Sequence, residues 1–141
     1  MSLISAAKVN SCFMVVDDDL VNNLICRKVI SRVFPEADVQ TFINPVTALA
    51  YIKSVYSDSC GKQTILFLDI NMPVLSGWDF LEEFESFDSH IKEQIKIYML
   101  SSSIDIEEID RASKNINVCG YVEKPLKKEI IEQLLFWISI G

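Results

Sequence analysis

Five short apolar runs, each followed by a segment of helical period, constrain this sequence more than any other feature. The runs are Cys12 to Val16, Val39 to Phe42, Ile65 to Leu68, Ile95 to Leu100 and Cys119 to Val122. Short runs of this kind, rich in β-branched and aromatic residues, read as strands buried on both faces, which occur in parallel sheets covered by crossover helices. Strict alternation of such strands with helices predicts an α/β domain. The first helix repeats Val21, Leu24, Ile25, Val29 and Val33, with Asp19 as its cap. The second opens with Asn44 as N-cap and Pro45 as first residue and places Ala48, Leu49, Ile52 and Val55 on one face. Gly77 precedes the third, whose stripe is Phe80, Leu81, Phe84 and Phe87. Ile106, Ile109 and Ala112 mark a fourth, and Leu126, Ile130, Leu134 and Ile138 a fifth. His90 falls in a loop with no partner to give it chemistry.

A chain of 141 residues, half of them hydrophobic, has the material for one domain core and no room for a second. Residues 1–10 read as a leader and 11–141 as the domain, with no internal repeat or low-complexity tract. The formal net charge of -7 argues against direct nucleic-acid binding, which depends on clustered Lys and Arg. Cys12, Cys26, Cys60 and Cys119 have neither zinc-finger spacing nor a CxxC pair; two fall in strands and one in a helix. They read as reduced thiols. With no signal-peptide pattern and no run long enough to span a bilayer, the expectation is a cytoplasmic protein without membrane contact.

The polar residues that follow the runs fall at the carboxyl edge of the sheet, where open α/β sheets hold their ligands. Asp17, Asp18 and Asp19 follow the first run, Asp69 ends the third, Ser101, Ser102 and Ser103 follow the fourth, and Lys124 with Pro125 follows the fifth. Taken singly, each has an ordinary reading. Asp19 is a helix cap, the serines a polar loop, Lys124 a surface lysine and Tyr121 a half-buried strand aromatic. Two adjacent acids facing a third are different, because crowded carboxylates repel and need a proton, a cation or a hard metal ion. The cluster is read as a magnesium site.

This constellation, with Asp69 followed by Asn71, Met72, Pro73 and Gly77, resembles the response-regulator receiver domain of two-component signalling over nearly everything from Ser11 to Ile140. The resemblance implies a doubly wound, flavodoxin-like parallel sheet of order 2-1-3-4-5 with five flanking helices, in a stand-alone receiver. It implies that Asp69 is the phosphoacceptor, that Asp18 and Asp69 bind magnesium directly with Asp17 acting mainly through water, and that the backbone carbonyl of Asn71 helps complete the octahedron. By the same resemblance Lys124 pairs with Asp69 or its phosphate across a cis Lys124–Pro125 bond. Ser101 reaches a phosphoryl oxygen, Ser102 leaves the approach open, and Tyr121 is the aromatic switch. Asn71 and Ser103 match positions that tune phosphate lifetime. The implied partners are a histidine kinase or histidine phosphotransfer protein and an unnamed downstream protein, reached through the fourth helix, fifth strand and fifth helix. Such a protein catalyses only its own phosphorylation and dephosphorylation, so it is not an enzyme in the usual sense.

Two other classes compete. A haloacid-dehalogenase-type phosphatase also carries DxD after its first strand, which Asp17 and Asp19 fit, with Ser101 and Lys124 in the supporting places. It requires a further acidic pair beyond the lysine, and only the last helix follows Lys124; nor does it account for Asp69. A receiver used only as a phosphorylation-independent interaction module has no need of Asp18, Asp69 and Lys124 together.

Overall fold

The computed structural model describes residues 11–58 and 63–140. Strands β1 (Ser11–Val16), β2 (Asp38–Phe42), β3 (Gln63–Asp69), β4 (Ile95–Ser101) and β5 (Val118–Glu123) form one sheet in the order β2-β1-β3-β4-β5, with every pairing parallel. Among the described residues six helices flank it: α1 (Leu20–Val33), α2 (Pro45–Val55), α3 (Gly77–Glu85), α4 (Ser89–Lys92), α5 (Ile106–Ser113) and α6 (Lys128–Ile140). The expected leader, Cys60 and the side chain of Ile138 lie outside the described residues.

Each strand runs one to three residues beyond its apolar run, mostly because flanking polar residues continue the ladder. Asp69 pairs with Leu100 and Ser101 with Glu123, so both site residues are held in register. Alternation along the strands sends side chains to two cores. Phe13, Val15, Ile65 and Phe67 face α1 and α6, while Met14, Val16, Leu66 and Leu68 face α2 and α3. All of these strand residues are buried, as a parallel sheet covered on both faces requires.

The inward face of α1 differs from the expected one. Val29 and Val33 of the expected stripe pack against the core, but Asn22, Asn23, Cys26 and Ile30 are buried, whereas in the first turns Val21 is 63% exposed, Leu24 55% and Ile25 38%. The helix is turned by about one residue because its two asparagines find polar partners at the end of β1, described below. The N-cap reading of Asp19 holds: its carboxylate accepts from the N–H groups of Val21 and Asn22.

Helix α2 buries Ala48, Leu49 and Ile52 but leaves Val55 exposed, and Tyr56 takes the next inward place with its hydroxyl 2.7 Å from Thr64 Oγ1. Gly77 is the first residue of α3 rather than its predecessor, since Ser76 is the N-cap in a reciprocal capping box with Asp79. A Cβ on Gly77 would lie 2.7 Å from the carbonyl oxygen of Asp69 and 2.9 Å from Ile70 Cα, so only glycine lets α3 start this close to the end of β3.

The additional helix, α4, sits where a loop is expected. There His90 Nε2 lies 2.6 Å from the carbonyl oxygen of Ser57, and Gln94 Nε2 donates to the carbonyl of Tyr56, joining the entrances of β3 and β4. In α5 only Ala112 of the expected stripe is buried, with Ile106 81% exposed. Leu126 is buried ahead of α6 rather than within it, and Ile131 and Leu134 carry the inward face of the helix.

Candidate functional site

Asp17 continues β1 by one residue, its N–H bonded to the carbonyl of Phe42, and its side chain is 0% exposed. A buried carboxylate without partners is prohibitively costly, and this one is fully engaged. Oδ1 accepts from the N–H of Asp19 at 2.8 Å, while Oδ2 accepts from Asn22 Nδ2 at 2.6 Å and from Lys124 Nζ at 2.8 Å. Asn23 Nδ2 donates to the backbone carbonyl of Asp17 at 2.9 Å.

Lys124 reaches across from the end of β5, where the Lys124–Pro125 bond is cis, and its Nζ is also 3.2 Å from Asp69 Oδ1. One ammonium therefore bridges two buried carboxylates. Burial pulls the lysine down, but hydrogen bonding and charge from Asp17 and Asp69 outweigh it and hold the ammonium above the ordinary lysine value. Burial, reinforced by the Asp17 charge, pushes Asp69 from 3.8 up to about 6, although Lys124 and the backbone of Asn71 pull the other way. Asp69 is thus ionised at neutral pH, but reluctantly.

Oxygens of Asp17, Asp18 and Asp69 lie within 4.8 Å of one another, with Asp18 exposed and the other two buried. A cavity of about 340 Å³ opens over them, lined also by Asn71, Ser102, Val21 and Ile25. Three hard oxygen donors, one of them solvent-facing, suit a small divalent cation that keeps part of its water shell.

The remaining expected residues are arranged differently. Ser101, buried at the end of β4, is not among the residues that line the cavity: its Oγ donates to the carbonyl of Ser103 at 2.8 Å and accepts from the Ser103 N–H. Tyr121 lies outside the carboxylate cavity. Its hydroxyl, with one proton to give, lies 3.2 Å from the same Ser103 carbonyl and 3.3 Å from Glu108 Oε1, and the residue borders a second cavity of about 320 Å³ between α5 and β5. Asp19 also lines the cavity but is occupied as the cap of α1. Cys26, beneath Asn22, has its thiol pushed up to about 12, chiefly by burial, and is inert as a nucleophile. Of the other described cysteines, Cys12 is buried and Cys119 exposed.

Asn22 and Asn23 were not among the expected site residues. Their signal was available: Asn22, Cys26 and Ile30 repeat at four-residue spacing from the first turn, which is a helical face with a polar residue at the end nearest the acids.

Residues 13–136 match the family model described as the response regulator receiver domain. Among curated proteins, the chain is 37% identical over 65 residues to Stress response regulator protein 1 of Meyerozyma guilliermondii, covering 46% of this chain. It is 28% identical over 114 residues to the cyclic di-GMP phosphodiesterase response regulator RpfG of Xanthomonas campestris pv. campestris, covering 81% of this chain. The aligned part is 28% of the length of each relative. Among solved structures, a two-component response regulator from Cytophaga hutchinsonii superposes with a TM-score of 0.82 at 24% identity, over 92% of this chain and 96% of that one. A response regulator receiver protein from Dyadobacter fermentans does so at 0.81 and 25%, over 91% and 98%. No described helix is long and apolar enough to cross a membrane.

Proposed function

The chain belongs to the response regulator receiver domain family, and from that premise we propose that it accepts a phosphoryl group on Asp69 from a phosphohistidine of a kinase or phosphotransfer protein. The observation that carries this reading is the single lysine bridging Asp17 and Asp69 under an open cavity of three carboxylates. A phosphatase reading based on Asp17 and Asp19 has no comparable support, because Asp19 is spent on capping α1. The domain comprises residues 11–141, works in the cytoplasm and passes its signal to a protein target.

Magnesium fits the donor set: Asp18, Asp69 and the Asn71 carbonyl would hold it and Asp17 would act mainly through water, and when bound it would supply charge neutralisation at the transferring phosphoryl group. A carboxylate oxygen of Asp69 attacks phosphorus in line as the P–N bond to the donor imidazole breaks, giving an acyl phosphate and a neutral imidazole once that ring holds its proton. Lys124 stays on the phosphoryl oxygens, and the position of Ser102 at the cavity wall leaves the line of approach open. Exposed Val21 and Ile25 at the same cavity give a protein donor an apolar rim to rest on. Asn71, at the cavity wall, and Ser103 tune the lifetime of the product.

The switch follows from the shared acceptor. Phosphorylation adds nearly two negative charges and strong acceptors, so Ser101 turns from the Ser103 carbonyl to the phosphate, and Tyr121 loses its companion at that carbonyl. A hydrogen bond to a charged group is worth about 1.5–3 kcal/mol, whereas driving a 1:99 equilibrium to 99:1 takes about 5.5 kcal/mol. Ser101 therefore acts together with Lys124 and the Ser102 backbone. The output surface is α5, β5 and α6, with exposed Ile106 and the cavity beside Tyr121 at its centre. Magnesium with beryllofluoride, an acyl-phosphate mimic, is expected to shift the NMR signals of Ser101, Tyr121 and α5 in the wild type and to leave Asp69→Ala unchanged. Silence across α5 and β5 at saturation would overturn this output.

A further inference from the structure

We infer that Asn22 is a positioning residue for phosphoryl transfer, acting through Asp17 to leave Lys124 free to follow the phosphoryl group. The inference rests on the reading of Asp69 as phosphoacceptor. Lys124 faces two claims, since its ammonium is 2.8 Å from Asp17 Oδ2 and 3.2 Å from Asp69 Oδ1. To neutralise charge building on a phosphoryl group at Asp69, it must loosen its hold on Asp17. Asp17 is wholly buried, and a buried charged oxygen stripped of its donor resists that movement.

Asn22 removes the obstacle. Its Nδ2 donates at 2.6 Å to the very oxygen that Lys124 touches, so Oδ2 keeps a partner when the ammonium shifts. The orientation of the amide is fixed from both sides. Nδ2 lies 3.7 Å from Cys26 Sγ as well, and a carboxylate accepts only from the N–H side of the amide. The Asp19 N–H does not take over, because it is committed to Oδ1. Asn22 is itself buried and touches the carboxylate cavity only at its wall, so it acts on the phosphoryl group through Asp17 and Lys124.

The test is the rate of Asp69 phosphorylation by phosphoramidate at saturating magnesium, measured in a double-mutant cycle with Asp17→Asn, whose neutral side chain no longer competes for Lys124. Asn22→Leu, close to isosteric but without donors, is expected to slow phosphorylation roughly tenfold in the wild-type background and less than twofold in Asp17→Asn. Asn22→Ala gives the same comparison where the leucine does not fold. A purely structural role would lower the unfolding midpoint and leave the rate of the folded protein unchanged. Equal slowing in both backgrounds, or none in the wild type, overturns the inference. Failure of the wild type itself to take up phosphate is a different result and removes the phosphoacceptor reading instead.

Discussion

Asparagine in place of Asp69 will make the magnesium-free protein harder to unfold. The carboxyl of Asp69 is pushed from 3.8 to about 6, first by burial and then by the Asp17 charge, so the folded protein disfavours its ionised form. At about 1.4 kcal/mol per unit, holding that charge at pH 7 costs on the order of 2–3 kcal/mol of folding stability, which a neutral isostere recovers. The sign with pH follows from the raised value. As pH falls from about 6 towards 4, the folded state takes up a proton that the unfolded chain does not yet bind, and wild-type stability rises towards that of Asp69→Asn. Urea unfolding of both proteins at pH 7 and pH 4.5, with chelator present, reads the gap directly. A variant less stable than wild type at pH 7, or a gap that does not narrow in acid, would contradict the electrostatic account of the site.

Removing Lys124 has the opposite effect and a larger one. Lys124→Met leaves Asp17 buried without its counter-charge and Asp69 without relief, and breaking such a pair from one side typically costs about 3–5 kcal/mol. Replacing both partners is cheaper than removing one, so Asp17→Asn added to Lys124→Met is expected to recover about half of the loss or more. Function does not return with stability. Phosphorylation of Asp69 should fall at least 100-fold in both variants, the size of effect associated with losing one fixed charge at a transition state. Parallel denaturant curves and phosphorylation rates separate the two effects, and a Lys124→Met protein as stable as wild type would show that the bridge is not balancing buried charge.

The strand ends were legible in the sequence for a simple reason. In a parallel sheet every strand points the same way, so residues that follow apolar runs must gather at one edge whatever the helices do. That argument reaches Asp17, Asp18, Asp69, Ser101 and Lys124 without knowledge of any side-chain rotamer. It does not reach the rotation of α1, where hydrophobicity placed Val21, Leu24 and Ile25 inside and the structure has them outside. Periodicity weighs apolar residues and ignores hydrogen bonds, yet the bonds of Asn22 and Asn23 to Asp17 set the phase of that helix. The short helix α4 was hidden because four residues are too few to show a period. The hydroxyl partners of Tyr121 were equally beyond reach, since they are Glu108 in α5 and the Ser103 carbonyl, neither of which any pattern links to β5.

The most direct test of the account is to identify the residue that carries phosphate. The full chain is incubated with magnesium and phosphoramidate, the acyl phosphate is trapped by borohydride reduction, and the reduced residue is located by peptide mass spectrometry. The account predicts modification at Asp69 alone, dependent on magnesium and absent from Asp69→Asn. Modification at Asp17 or Asp18, or none at Asp69 while magnesium is bound at the carboxylates, would contradict it.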